Sequence, residues 1–126
     1  MDKERLEANK RVVARLFDEV VYGKGDRTAL VNELIGRDYI AHHNPHVGPG
    51  SEGPKAFLEL LGPLSKGLGP TAGVEVRYIS DRGFVVRQEV RENGEMIDVM
   101  RVSDGQCREH WAAFRPAAGK ERLPGY

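Results

Sequence analysis

The chain has 126 residues, which is the size of one domain and is long enough to bury a continuous hydrophobic core. Its 19 basic and 19 acidic residues cancel, so no net charge would attract a nucleic acid or an anionic membrane surface. A single cysteine, Cys107, excludes an intrachain disulfide and a zinc site built from several cysteines. The first residues are charged and no apolar run is long enough to cross a membrane, so we expect a cytoplasmic protein.

The first half of the sequence predicts three helices. Apolar residues recur at three- and four-residue steps over 6–21, in a shorter stretch over 30–35, and again over 57–64. Asp2 can cap the first helix, and Gly36 can end the second. Each of these helices would present one apolar side to the rest of the protein.

From Val74 onward, apolar and polar residues alternate, which is typical of half-buried strands. Turn sequences at 80–83, 92–94 and 103–105 separate the strands. We therefore expect an α+β domain in which three N-terminal helices pack on one face of a four-stranded antiparallel sheet. One domain would span 1–126, with its core at about 6–116 and a loose tail at 117–126.

The third predicted strand is apolar on both faces. Met96 and Met100 lie on one face, and Ile97 and Val99 lie on the other. Because helices can cover only one face, we expect the second face to meet another copy of the chain, giving a homodimer through the sheet. The alternative is that the C-terminal tail covers this face.

Asp98 interrupts the apolar face between Met96 and Met100. An ionised carboxylate on an apolar face is costly unless it is paired, so Asp98 should either protonate or find a partner. The last hairpin supplies the candidates for that partner.

Two registers of the last hairpin are possible. A three-residue loop at 103–105 would place His110 directly opposite Asp98, whereas a two-residue turn at 104–105 would place Trp111 there. We prefer the first register because glycine then occupies the third loop position. That register gives Asp98 a shared face with His110, Ala112 and Phe114. A purely structural Asp–His hydrogen bond is the alternative to a functional pair.

Three of the four histidines, namely His42, His43 and His46, fall within five residues just before the third helix. They match neither a His-x-His pair on a strand nor a HExxH pair on a helix, so we do not expect a metal site. Two interpretations stay open for this loop. Either it is simply solvated, or at least one imidazole lines a pocket.

The sequence resembles the SnoaL-like group of the NTF2-like superfamily. The similarity covers about 6–116 and is carried by YIAHHNPHV at 39–47 and IDVMRVSDGQCREHW at 97–111. Members of the group often have Tyr-Ile-x-His-Asn-Pro in the loop, Asp-x-Phe/Met-Arg in the third strand and Glu-His-Trp in the fourth. The resemblance implies a cone-shaped fold, a pocket between a curved sheet and the helices, and a dimer.

The superfamily includes polyketide cyclases that catalyse an aldol condensation, and ketosteroid isomerase. Asp98 is similar in position to the acid that the isomerase keeps protonated so that it can donate to an oxyanion. The cyclases have an acid/base aspartate just after the tryptophan, where this chain has Ala112. If the chain is catalytic, the resemblance therefore leaves an imidazole as the base, His43 with His42 as the alternate.

Three functions are compatible with these patterns. The first is a proton-transfer enzyme for aldol cyclisation or isomerisation of a polyketide- or terpenoid-like carbonyl compound, with His43, Asp98 and His110 as catalytic residues. The second is a non-catalytic module that holds a small apolar ligand, and the third is a dimeric scaffold whose cavity is filled by its own side chains. We expect neither a cofactor nor a metal, and no nucleic-acid or membrane partner. The predicted pocket residues are Tyr39, His42, Asn44, Phe57, Met96, Met100, Trp111, Ala112 and Phe114.

Overall fold

The structure, a computed structural model, describes residues 2–68, 71 and 73–121. Helix α1 (Lys3–Arg15) is capped by Asp2, whose Oδ1 accepts a hydrogen bond from the backbone N–H of Arg5 at 2.8 Å. It continues into a π-helical segment, Leu16–Val21. Two further helices follow: α2 (Thr28–Leu34) and α3 (Gly53–Leu68). No helix in these described ranges is long and apolar enough to span a membrane.

Five strands form a single sheet in the order β1-β5-β4-β3-β2. Strands β2 to β5 form an antiparallel meander, and β1 lies at one edge, parallel to β5. The helices cover one face of this sheet, so the expected α+β arrangement is confirmed. The strands are β1 (Ile35–Ala41), β2 (Glu75–Asp81), β3 (Phe84–Arg91), β4 (Gly94–Ser103) and β5 (Gln106–Pro116).

The expected number of four strands is wrong because β1 was not predicted. The apolar pattern assigned Ile35 to the second helix and Tyr39 to a loop, but both residues belong to this strand. Strand β1 pairs with a strand about 70 positions later in the chain, for example Ala41 with His110. A local pattern contains no sign of such a long-range parallel pairing. The pairing brings Tyr39 next to the last hairpin.

The preferred register of the last hairpin is wrong, and the alternative with a two-residue turn holds only next to that turn. Asp104 and Gly105 have φ angles of 52° and 74°, so they form a tight two-residue turn, and Val102 pairs with Cys107. One further residue, Arg108, then stands unpaired as a β-bulge, which shifts the register by one residue.

Beyond the bulge, Asp98 is opposite Ala112 rather than His110 or Trp111. The turn and the bulge together shift the pairing by two residues from the preferred register. Because side chains alternate with a period of two, Asp98 and His110 still lie on the same face of the sheet.

The inner face of the sheet and the helices enclose the core. Along β4, alternate residues from Gly94 to Val102 are buried, and the residues between them are only partly covered. The outer face keeps large apolar side chains in solvent, including Ile79 and Phe84. Of the tail predicted at 117–126, Ala117 donates its backbone N–H to the carbonyl of Asn93 at 2.9 Å, and residues 122–126 lie outside the described residues.

Candidate functional site

Three polar side chains form a hydrogen-bonded chain on the buried face of the sheet. His110 Nε2 lies 2.7 Å from Asp98 Oδ1, and His110 Nδ1 lies 3.0 Å from Tyr39 Oη. Asp98 and Tyr39 have 0% of their surface exposed, and His110 has 3%. The chain therefore links β4, β5 and β1 at a place that water does not reach.

When Asp98 is ionised, its partners determine which atoms donate and which accept in these hydrogen bonds. A carboxylate can only accept, so Nε2 of His110 must carry the imidazole proton and donate it to Asp98. In a neutral imidazole Nδ1 is then an acceptor, and the hydroxyl of Tyr39 donates to it. In this arrangement both nitrogens of the imidazole are occupied by protein groups, so His110 orients Asp98 rather than contacting a ligand.

The second carboxylate oxygen of Asp98, Oδ2, is buried and has no hydrogen-bond partner in the described part of the chain. A buried polar atom without a partner costs about 1–3 kcal/mol, and more when the group is charged. Such atoms are rare in native proteins, and they often mark a catalytic site or a place for a bound molecule. Among the hydrogen-bonding atoms of Asp98 and His110, Oδ2 is therefore the one that can still accept a hydrogen bond from a ligand.

A second buried cluster centres on Glu89, which is on the same inner face of the sheet. Its carboxylate accepts hydrogen bonds at 2.6 Å from Arg87, Arg91 and the hydroxyl of Tyr22. Burial alone would raise the pKa of Glu89, but these three hydrogen bonds outweigh it and hold the pKa below its ordinary value. Burial, and then Glu89, raises the pKa of Tyr22.

Sequence patterning missed this cluster because it favours the apolar side of a strand as the buried one. In β3, the polar residues Arg87 and Glu89 face the core, whereas Phe84 and Val90 are exposed. The sequence feature that could have indicated this cluster is the pair of opposite charges, Arg87 and Glu89, two residues apart on one face of a strand. Such groups can neutralise each other when they are buried.

Side chains fill the interior next to Asp98. Phe57 packs edge-on against Tyr39 with ring centroids 5.8 Å apart. Tyr39, Phe57, Met96 and Met100 have no exposed surface, so no space large enough for water adjoins them. The predicted pocket is therefore closed here. The partly buried Ala112 is opposite Asp98, and the buried Phe114 is opposite Met96.

His42 and Trp111 were expected in the pocket, but they lie on the outer face of the sheet. Their rings stack with centroids 4.5 Å apart and an interplanar angle of 7°. Trp111 follows the inward-facing His110 and must point to the opposite side because strand side chains alternate. Nε2 of His42 also lies 2.8 Å from Glu109. Arg101 and then His42 hold the pKa of Glu109 below its ordinary value.

His43 and Asn44 lie in the loop between β1 and α3. His43 is exposed and has a left-handed φ of 55°, and Asn44 Oδ1 accepts from the backbone N–H of His46 at 2.9 Å. Both residues line a cavity of about 380 Å³ that is bounded by residues 40–52. Within the described residues, His43 makes no hydrogen bond or ion pair with Asp98 or His110.

A groove of about 780 Å³ that contains no predicted site residue lies between the start of α1 and the turn that joins β4 to β5. Over the ranges described, no group of three or more His, Cys, Asp or Glu side chains is arranged to hold a metal ion.

Similar solved structures identify the fold. A candidate SnoaL-like polyketide cyclase from a Jannaschia species has a TM-score of 0.66 at 21% identity, with 90% of each chain covered. A candidate polyketide cyclase from Bacillus cereus has a TM-score of 0.65 at 14% identity, covering 90% of this chain and 78% of the other. The chain has the NTF2-like fold. An NTF2-like protein of unknown function from Mesorhizobium loti is also similar, with a TM-score of 0.60, 16% identity, and 91% and 97% of the two chains covered.

No family model matches the sequence, and no curated protein sequence does either. The expected NTF2-like fold of the SnoaL-like proteins is thus confirmed by structure. The identities are low enough that the similarity establishes the fold alone, and any activity must be argued from the buried residues.

Replacing Glu89 by glutamine tests the buried charge cluster of this NTF2-like sheet. The change removes the carboxylate charge that pairs with Arg87 and Arg91, so the free energy of unfolding near pH 7 should fall by about 3 kcal/mol. The pKa of Glu89 is lowered in the folded state, so its stabilising contribution is present above its unfolded pKa and is lost as the pH falls through the folded pKa.

Urea unfolding of both proteins at about pH 7 and about pH 3 measures this contribution. The difference between wild type and Glu89→Gln should be larger at the higher pH than at the lower one. Glu75→Gln removes an exposed carboxylate of β2 and should change little at either pH. An equal loss at both pH values for Glu89→Gln would show that its charge is not the stabilising feature.

Proposed function

We propose that the protein binds a small molecule with a carbonyl or hydroxyl group between the sheet and α3, with Asp98 as its main polar contact. The observation that carries the proposal is the unpartnered, buried Oδ2 of Asp98. Ligand pockets are mostly apolar and contain a few fixed polar groups, which is the composition around this atom. An oxygen of the ligand would complete the missing hydrogen bond.

Binding requires the interior to open, because side chains fill it in the absence of a ligand. Met96 and Met100 flank Asp98 on the same face of β4. Methionine side chains are unbranched and flexible, so they can change rotamer and make room without moving the backbone. Opening would thus be local, and the hydrogen bond from His110 would continue to hold Asp98.

Proton-transfer catalysis is a second candidate, supported by the bonded chain from Tyr39 through His110 to Asp98. In this function, Oδ2 of Asp98 takes a proton from the carbon next to a carbonyl. The resulting enolate is either reprotonated at another carbon, which is an isomerisation, or attacks a second carbonyl, which is an aldol cyclisation. The likeness to candidate polyketide cyclases agrees with a polyketide- or terpenoid-like substrate, and the step needs no cofactor.

Catalysis requires a second proton-transferring group besides Asp98, whereas ligand binding does not. A catalytic role for His43 stays a prediction, because the exposed loop would have to move inward to bring it to the substrate. Ala112, opposite Asp98, cannot transfer a proton. These two points favour non-catalytic ligand binding over catalysis, and we place catalysis second for that reason.

Thermal unfolding with aromatic and terpenoid ketones and alcohols tests the binding site. A ligand at a hundredfold excess over its Kd stabilises the native protein by about 2.7 kcal/mol and raises Tm accordingly. Asp98→Asn should weaken binding of the same compound about tenfold, because the carboxylate acceptor is lost. Asp81→Asn changes an exposed aspartate at the end of β2 and is the matched control that should bind as the wild type does. A ligand that stabilises wild type and Asp98→Asn equally would disprove the assignment.

We also propose that two copies pair through the outer face of the sheet. Ile79 and Phe84 have 66% and 43% of their surface exposed there, and Trp111 lies next to Phe84 with ring centroids 6.4 Å apart. Exposed apolar patches of this kind mark interaction surfaces. A twofold axis through the patch would bury it against the same patch of a second copy.

Light scattering after size-exclusion chromatography tests this pairing. Wild type should elute as a dimer, and Ile79→Glu should be monomeric, because a charge within the apolar patch would be buried without a partner. Leu58→Glu changes an apolar residue of α3 that is 40% exposed and should remain dimeric. A monomeric wild type, or a dimer unaffected by Ile79→Glu, would rule out the proposed interface.

A further inference from the structure

The loop between β1 and α3 borders a cavity of about 380 Å³, which we call the loop cavity. Its volume is near the lower end of the range of roughly 300–1,000 Å³ that is usual for small-molecule sites. Unlike the packed interior next to Asp98, the loop cavity has room for one small ring without any rearrangement. Its walls are largely apolar and include Ile40, Ala41, Pro45, Val47 and Pro49.

Hydrogen bonds within the protein hold the loop in place around this cavity. Glu59 of α3 accepts from the backbone N–H of Gly48 at 2.9 Å and from the hydroxyl of Ser51. The backbone carbonyl of Asn44 accepts from the N–H of Val47 at 3.2 Å. Because these bonds exist without a ligand, little conformational entropy would be lost in ordering the loop when a molecule binds.

The backbone of the loop adopts two left-handed conformations at the cavity. His43 has a φ of 55° and Gly50 has a φ of 73°. A left-handed conformation is uncommon for any residue other than glycine, and strained residues of this kind cluster at active sites and ligand sites. The conformation of His43 is therefore a second indication that this loop has a binding role.

The hydrogen bonds of the loop disfavour an anion as the ligand. The N–H of Gly48 and the hydroxyl of Ser51 donate to Glu59, and the N–H of Ser51 donates to the carbonyl of Gly48 at 3.0 Å. These donors are therefore not available to bind an anion. Ser51, and then the backbone of Gly48, hold the pKa of Glu59 below its ordinary value, so Glu59 is negatively charged near pH 7. Glu52 adds a second carboxylate at the wall of the cavity.

Glu52 and His43 provide acceptors for a molecule that donates hydrogen bonds. Glu52 is exposed and makes no hydrogen bond or ion pair with any described residue, including Lys55 in the first turn of α3. Over the same ranges, His43 makes a ring contact with His42, with centroids 6.3 Å apart, and no hydrogen bond. A carboxylate and a neutral imidazole both accept, and an ammonium group has three N–H donors and the opposite charge to Glu52.

We propose that the loop cavity binds a small organic amine, whose ammonium group donates to Glu52 and His43 while an apolar ring packs against Ile40 and Val47. The apolar walls favour the ring, and the carboxylate selects the positive charge. This site is additional to the one at Asp98 and does not depend on it. It also gives His43 a role that does not require the loop to move into the interior.

Three probes of matched size test the amine site in ¹H–¹⁵N NMR titrations of the full chain at about pH 7. They are benzylamine, which is a cation, benzyl alcohol, which is neutral, and benzoate, which is an anion. Benzylamine should bind about fivefold more tightly than benzyl alcohol, the advantage expected of one exposed ion pair, and benzoate should bind most weakly. Raising the salt concentration from about 0.05 M to about 0.5 M should remove most of this advantage, because salt screens exposed charges.

Removing the charge of Glu52 tests its part in the selection. Glu52→Gln keeps the size of this exposed side chain, so it should not affect folding. It should reduce the preference for benzylamine over benzyl alcohol about fivefold, so that the two probes bind with similar affinity. Glu75→Gln removes an exposed carboxylate of β2 and is the matched control that should keep the wild-type preference.

The positions of the shifted resonances distinguish the amine site from the site at Asp98. Benzylamine should shift the amides of residues 40–52 and the imidazole of His43 most strongly. Shifts centred on Asp98 and His110 instead would place the amine in the interior and overturn the proposal. Equal affinity for the three probes, an unchanged preference in Glu52→Gln, or no binding of benzylamine would also overturn it. None of these results would affect the binding of ketones and alcohols at Asp98, which is tested separately.

Discussion

The hydrogen bond between Asp98 and His110 depends on one extra residue in β5. With the two-residue turn alone, Trp111 would be opposite Asp98 and His110 would point to the outer face. The bulge at Arg108 moves His110 to the inner face, where its other nitrogen reaches Tyr39 of the edge strand. Bulges often re-aim a side chain near functional sites, and here the bulge determines whether the buried chain of polar groups exists at all.

The polar residues of the inner face are costly to retain. Asp98, Arg87 and Glu89 are buried beneath helices whose apolar sides could have packed on an apolar sheet. Replacing a buried ion pair with well-packed apolar residues is often neutral or stabilising, so stability alone does not explain this arrangement. The unpartnered Oδ2 of Asp98 is the feature that a ligand would explain. Solid packing around it is compatible with binding because the flanking residues on the same face of β4 are methionines.

Features that depend on local pattern could be predicted from the sequence. The three helices follow from apolar spacing, and the hairpins follow from turn sequences. Asp98 was identified because it breaks an apolar face. These predictions needed only neighbours within a few positions.

Features that depend on long-range pairing could not be predicted. Strand β1 pairs with β5 about 70 residues later, and no local signal marks the bulge at Arg108. Because the sequence does not reveal that bulge, it does not give the correct pairing partners of His110 and Trp111 or the face on which each lies. Burial of Arg87 was also missed, because alternation places the apolar side of β3 inward, and the compensating charge of Glu89 is visible only once both side chains are seen to share the core.

Long-range ¹H–¹⁵N NMR of the His110 imidazole in the intact protein tests the central claim most directly. We predict a single proton on Nε2, donated to Asp98, with Nδ1 acting as the acceptor for the hydroxyl of Tyr39. Asp98→Asn should shift the Nε2 resonance. A proton found on Nδ1 instead, or nitrogen resonances that do not respond to Asp98→Asn, would contradict the bonded chain and the free acceptor oxygen on which the proposed site depends.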